Sequence, residues 1–260
     1  MADDDKKMIP IHGHRVNIFI HTLFSYLTVG CVVLTLVPPL LLLLLLPARI
    51  RTGNRLILAL LDLFYRGVVG ALFVPIDFVG RDAMPREPAI IVANHQSTID
   101  IPIVGMLLAR QPHVWFALSY YARMPVLGFF VRRLGFSLDR ATSGSAAHDF
   151  LSGIRAVRSS SAQVIIFPEG TRYIDGRVHD FLEGFALIAR HTNRPVVPIY
   201  MPDNYLVYPP ASFWVYFHQL RVVVGPPFVR VEGESDELFT VRVHGWFEQQ
   251  ESAHRRGGQL

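Results

Sequence analysis

Hydrophobic positions along this chain fall into two regimes. Residues 16–48 contain no Asp, Glu, Lys or Arg, whereas beyond about residue 73 short apolar runs alternate with amphipathic stretches. The first regime predicts a hydrophobic helical segment. An unbroken helix of that length exceeds the roughly 30 Å hydrocarbon core of a bilayer, and Pro38-Pro39 predicts a break inside it. Residues 16–37 are long enough to span alone; residues 40–46 are not. Residues 56–73 continue the apolar region but include Asp62 and Arg66, four apart and therefore on one helix face. This stretch reads as an interfacial helix or the second arm of a helical hairpin, with a buried core helix as the alternative.

The second regime predicts strands over 73–79, 89–93, 114–118, 136–138, 164–167, 196–201 and 220–224. Helical patterns fill 99–109, 125–134, 145–158 and 181–191, and a closing helix covers 235–255. Strands alternating with helices argue an α/β domain, and continuously apolar strands argue a central sheet buried on both faces. The expected organisation is a polar tail over 1–15, a hydrophobic helical membrane-anchoring region over 16–72, and an α/β domain over 73–260.

The chemistry gathers where apolar runs end. The run Ala89-Ile90-Ile91-Val92-Ala93 feeds directly into Asn94-His95-Gln96-Ser97-Thr98-Ile99-Asp100, a polar corner between a strand and a helix. A histidine there can act as a general base near neutral pH. An aspartate can hold its tautomer and stabilise its charged form. The pair alone carries little: with 11 His in the chain, chance supplies about half of one His-x-x-x-x-Asp match. Ser97-x-x-Asp100 also has the form of a helix capping box.

Three more corners have the same form. Gly135-Phe136-Ser137-Leu138 ends in Asp139-Arg140, with Arg132-Arg133 upstream; Val164-Ile165-Ile166-Phe167 ends in Pro168-Glu169-Gly170-Thr171-Arg172; and Val196-Val197-Pro198-Ile199 closes a later strand. Arginine suits bidentate phosphate binding, and free backbone N–H groups suit an oxyanion. The aromatic stretch Tyr205, Tyr208, Phe213, Trp214, Tyr216, Phe217 reads equally as core or as a bilayer-interface belt.

Composition sharpens this picture. Hydrophobic residues make up 51% and the mean hydropathy is +0.31, with a formal net charge of +4. A mildly basic, apolar chain suits an anionic membrane surface or phosphorylated ligands. The 260 residues suffice for one sizeable core. Lone Cys31 excludes an internal disulfide and a thiolate metal site, and His12-Gly13-His14 lacks further ligands at usable spacing. Lys6, Lys7 and Arg15 before the apolar run balance Arg49, Arg51 and Arg55 after it. Equal basic flanks fit a re-entrant or hairpin insertion with both ends cytoplasmic, with a single span as the alternative. The run is too long for a secretory signal peptide, and no small-residue cleavage site follows it.

Taken together, Asn94-His95-x-Ser97-x-x-Asp100, Gly135-Phe136-x-x-Asp139-Arg140, Phe167-Pro168-Glu169-Gly170-Thr171-Arg172 and Val197-Pro198-Ile199 closely resemble the four ordered blocks of the glycerolipid acyltransferase family, most of all the bacterial 1-acylglycerol-3-phosphate acyltransferases. The resemblance covers roughly residues 75–225. It implies that His95 and Asp100 are catalytic, and that Arg140, Glu169, Gly170, Thr171 and Arg172 line the acceptor site. It also implies an N-terminal hydrophobic anchor, a lysophospholipid acceptor, and acyl-CoA or acyl-carrier protein as co-substrate rather than a cofactor or metal. No nucleic-acid partner is expected, and the oligomeric state stays open. The expected location is the cell membrane with the site at its cytoplasmic face. The expected reaction is acyl transfer from a thioester to the hydroxyl of 1-acylglycerol 3-phosphate, giving phosphatidate. His95 would act as base, Asp100 would orient it, and backbone N–H groups near Glu169-Gly170 would hold the oxyanion. The alternatives are an acyltransferase for another lyso-lipid head group, an acyl-thioester or lipid hydrolase using the same His base, and a non-catalytic lipid-binding protein. Two departures from the family pattern bear on the acceptor: Ala117-Leu118-Ser119 lacks an expected lysine, and Glu183 stands where a basic residue often precedes Gly184.

Overall fold

In the computed structural model, which describes residues 15–51, 53–118, 127–138 and 144–257, all seven expected strands form one sheet. The strands are β1 (Ile76–Val79), β2 (Ile90–Ala93), β3 (His113–Leu118), β4 (Gly135–Leu138), β5 (Gln163–Ile166), β6 (Val196–Tyr200) and β7 (Leu220–Val224), in the order β1-β7-β6-β2-β5-β3-β4. From β6 across to β4 every neighbour is parallel; β7 is antiparallel to β6, and β1 is parallel to β7. Parallel neighbours need long crossovers. Here they are α4 (Asp100–Leu107), α5 (Leu127–Leu134), α6 (Gly144–Arg158) and α7 (Gly184–Thr192); α8 (Asn204–Val207) and α9 (Asp236–Gly257) come later, while α1 (Arg15–Leu44), α2 (Ala48–Arg51) and α3 (Arg55–Gly70) precede the sheet.

The period-2 alternation of the central strands separates two cores. Ile91, Ala93, Ile165, Val197 and Ile199 point to the layer of α3 and α4. Ile90, Val92, Val164, Ile166 and Val196 point to the layer of α6, α7 and α9. Strands β2, β5 and β6 are buried on both faces, as their apolar runs predict. β1 and β7 alternate instead, because they lie at one side of the sheet. Asp77 and Arg221, facing each other in register, sit 3.8 Å apart there.

The N-terminal helices correct one expectation. Pro38 and Pro39 do not break the first helix; α1 continues through both to Leu44 before the chain turns. Interior prolines each cost about 3 kcal/mol. Beyond them, however, Leu40 and Leu44 are 1% and 0% exposed against the α3 side of the core, and burying each leucine returns about 1.5–3 kcal/mol. Packing therefore offsets the lost hydrogen bonds. α3 is held by its Asn54 N-cap and buries Ile57, Leu61, Tyr65 and Val69 on one stripe. Asp62 pairs with Arg66 as the spacing predicts, and Arg110 reaches the same carboxylate from the end of α4. At Gly105 of α4 a Cβ would stand 2.5 Å from the Tyr65 ring, so glycine is what lets α3 and α4 meet.

Candidate active site

Parallel neighbours β2 and β5 end at the same edge of the sheet, so the corners that follow them meet. α4 begins at Asp100 itself, and its first side chain turns back on the corner. Asp100 Oδ2 accepts from His95 Nδ1 at 2.8 Å, from the Gln96 N–H at 2.7 Å and from the Ser97 N–H at 2.8 Å. The oxygen that gathers the N–H groups of the corner before α4 therefore also holds the imidazole. Ser97 does not complete a capping box. Its hydroxyl donates to the Tyr208 carbonyl at 2.5 Å, which ties its proton down and leaves the imidazole without a serine nucleophile. Asp100 is fully buried, whereas the His95 side chain keeps 13% of its surface exposed. With Nδ1–H donated to a carboxylate, Nε2 is the nitrogen free to take a proton.

The β5 corner grips His95 in two ways. The Phe167 ring stacks on the imidazole at 4.1 Å between centroids and 13° between planes, and Trp115 stacks behind Phe167 at 6.0 Å. Glu169, 6% exposed, accepts the His95 N–H on Oε2 at 2.7 Å and the His179 N–H on Oε1 at 3.1 Å. Burial pushes its carboxyl up to about 7, against the opposing pull of those two N–H groups. Both carboxylate oxygens of Glu169 are thus engaged by main chain, one of them by His95 itself. The Gly170 N–H closes a turn onto the Phe167 carbonyl at 3.2 Å, with φ +66°, so this expected oxyanion donor points into the turn. Thr171 is exposed, and Arg172 Nη1 donates to Thr98 Oγ1 at 2.7 Å, beside the His95 corner. Glu183 is exposed at the N-cap of α7, where an acid suits the helix dipole. Arg140 and Ser119 lie outside the described residues.

A family profile described as Acyltransferase matches residues 75–202, the span that includes His95, Asp100, Phe167, Glu169 and Arg172. The chain is 27% identical over 245 residues to a 1-acyl-sn-glycerol-3-phosphate acyltransferase of Limnanthes alba, covering 87% of this chain and 78% of that one. To the enzyme of the same name from Cocos nucifera it is 31% identical over 221 residues, 79% of this chain and 66% of that one. The chain belongs to the acyltransferase family. The fold agrees: the crystal structure of the 1-acyl-sn-glycerophosphate acyltransferase of Thermotoga maritima superposes with a TM-score of 0.76 at 23% identity, over 92% of this chain and 97% of that one.

Several contacts of this acyltransferase's site are not announced by the sequence. Asn204 Nδ2 donates to Asp100 Oδ1 at 2.8 Å from a turn that reads only as a loop. The Asn94 side chain clamps both backbone groups of Met201, with bonds of 2.9 and 2.8 Å, fixing the end of β2 to the end of β6. The apolar run through Phe167 reads as strand, and nothing in it announces that the ring faces a histidine.

Proposed function

We propose that this acyltransferase moves an acyl group from a thioester to the free hydroxyl of 1-acylglycerol 3-phosphate, with His95 as general base and Asp100 as its orienting partner. The observation that carries the reading is the bond from His95 Nδ1 to the buried Asp100 carboxylate, which reserves Nε2 for the acceptor hydroxyl. Nε2 takes the hydroxyl proton as that oxygen attacks the thioester carbonyl. The tetrahedral intermediate collapses with cleavage of the C–S bond, and the imidazolium returns its proton to the departing thiolate. The donor is acyl-CoA or an acyl-carrier protein. Asp100 stabilises the imidazolium, and the Phe167 ring keeps it in plane. Arg172, anchored on Thr98, supplies a cation beside the base for the acceptor phosphate, and Arg140 is its expected companion. The relatives' names, 1-acyl-sn-glycerol-3-phosphate acyltransferase, support this acceptor.

The enzyme works at a membrane surface, with its site at the cytoplasmic face of the cell membrane. Among the described residues, α1 is the one helix long and apolar enough to cross a bilayer, and little of it is buried. Both of its halves are tied to the catalytic domain. Thr22 and Tyr26 bond to Val215 and Phe213, and Leu40 and Leu44 pack on the α3 side of the core. A helix attached along its length lies against the domain and inserts from one side, which fits the balanced basic flanks. Exposed Phe213 and Phe217 extend the apolar surface of α1, so the aromatic stretch serves the interface. The test of substrate is kcat/KM for lysophosphatidate against zwitterionic and neutral lyso-lipids, in wild type and in Arg172→Ala. Wild type prefers lysophosphatidate, and the variant raises the acceptor KM about tenfold to a hundredfold with little effect on the donor. Preference for an uncharged acceptor, unchanged in the variant, overturns the phosphate assignment.

A further inference from the structure

The His95–Asp100 pair has a third participant. Three donors crowd onto Asp100 Oδ2, yet Oδ1 has one, the Asn204 side-chain amide at 2.8 Å. We propose that Asn204 is a positioning residue of the reaction: by holding Oδ1 it fixes the rotation of the Asp100 carboxylate and so keeps Oδ2 aligned on His95 Nδ1. The inference rests on the reading of His95 as the base.

Three observations carry it. Asn204 is fully buried, and no donor among the described residues reaches its Oδ1. An unpartnered buried acceptor is a cost to the fold, one that an apolar side chain of similar size would avoid. The amide is thus placed for its nitrogen end. The donor is also neutral: an arginine there would attract the carboxylate's charge to itself, whereas an amide orients the carboxylate and leaves its charge for the imidazolium. Finally, the turn that carries Asn204 is braced on both sides. In front, Asn94 clamps Met201 and Ser97 donates to the Tyr208 carbonyl. Behind, His254 of α9 bonds to Asp203 at 2.6 Å, with Asp203 at φ +64° directing the chain into α8. The C-terminal helix therefore supports the catalytic carboxylate through one turn, Asp203-Asn204.

The test uses the full chain with Asn204→Leu, which keeps the branched skeleton and removes the donor, and Asn204→Ala. Both lower kcat by about tenfold to a hundredfold, the loss of one hydrogen bond to a charged group, and leave both KM values within about twofold. With Asp100 less well aligned the imidazolium is less stabilised, so the acidic limb of the kcat/KM–pH profile moves to lower pH. Among the described residues, Glu169, Arg172, Asp203 and His254, the charged and titratable groups around this corner, are the same in each Asn204 variant and cancel from the comparison. In an Asp100→Asn background, Asn204→Leu costs less than about twofold more, because its route of action is gone. Equal losses in both backgrounds, or a folded Asn204→Leu with near-normal kcat, overturn the proposal. Should both replacements fail to fold, His254→Ala decides. It loosens the same turn from a partly exposed position and lowers kcat a few-fold at constant KM; an unchanged kcat overturns the proposal. His95→Ala is run alongside. Activity there removes the underlying reading of the base, whereas an inactive His95→Ala beside an unaffected Asn204→Leu removes only the role of Asn204.

Discussion

Replacing Glu169 with Gln isolates the electrostatic cost of holding the β5 corner against His95. In the wild type a carboxyl of ordinary pKa 4.5 is pushed up to about 7, chiefly by burial at 6% exposure. The folded state therefore binds this proton more tightly than the unfolded chain does. Its contribution to stability is greatest below 4.5 and is lost as the pH rises through about 7. Integrated from pH 5 to pH 8, that linkage is worth about 2–3 kcal/mol. The glutamine cannot titrate. It carries instead a fixed penalty of about 1–3 kcal/mol, because its NH2 faces one of the two backbone N–H groups that the carboxylate accepted. The difference in melting temperature between variant and wild type thus starts from a constant deficit and changes with pH. At about 2–4 °C per kcal/mol for a chain of this size, Glu169→Gln gains about 5–10 °C on the wild type between pH 5 and pH 8. Tryptophan-fluorescence melts of both proteins in one detergent, at matched pH values, read this directly, since every other titrating group cancels in the difference. A difference that stays constant with pH would refute the buried-charge account of Glu169.

Two further outcomes follow from packing and surface. Gly105→Ala drives a Cβ to 2.5 Å from the Tyr65 ring and should destabilise the contact of α3 with α4 by about 1–3 kcal/mol, read as a lower melting temperature; an unchanged melt would show that the ring moves freely. Phe213→Ser with Phe217→Ser should weaken flotation with anionic vesicles while leaving the fold intact, and unchanged flotation would remove the aromatic loop from the membrane-facing surface.

The parts of this fold that sequence reveals are those set by local periodicity. Seven apolar runs appear as seven strands because each is a short apolar stretch bounded by turn signals, and the polar corners appear where the runs stop. His95 and Asp100 were legible because they lie five residues apart on one corner, so local geometry alone brings them together. Asn204 was not, since 104 residues separate it from Asp100 and only the crossing of β2 beside β6 joins them. Glu169 was legible as a residue of this corner, but its partners were not. Sequence shows an acid beside an arginine, whereas its two main-chain partners come from residues 95 and 179. The Pro38-Pro39 break failed for a related reason. Proline acts locally, and the buried leucines that hold α1 together beyond it are a property of the packed core.

The central claim is that His95 deprotonates the acceptor hydroxyl with Asp100 behind it. The most direct measurement is phosphatidate formation, by mass spectrometry, from acyl-CoA and lysophosphatidate with purified wild type, His95→Ala and Asp100→Asn, each shown by its melt to be folded. No product above background is predicted for His95→Ala, and a smaller loss for Asp100→Asn, which removes orientation and charge but leaves the base. Near-normal turnover by folded His95→Ala would contradict the claim.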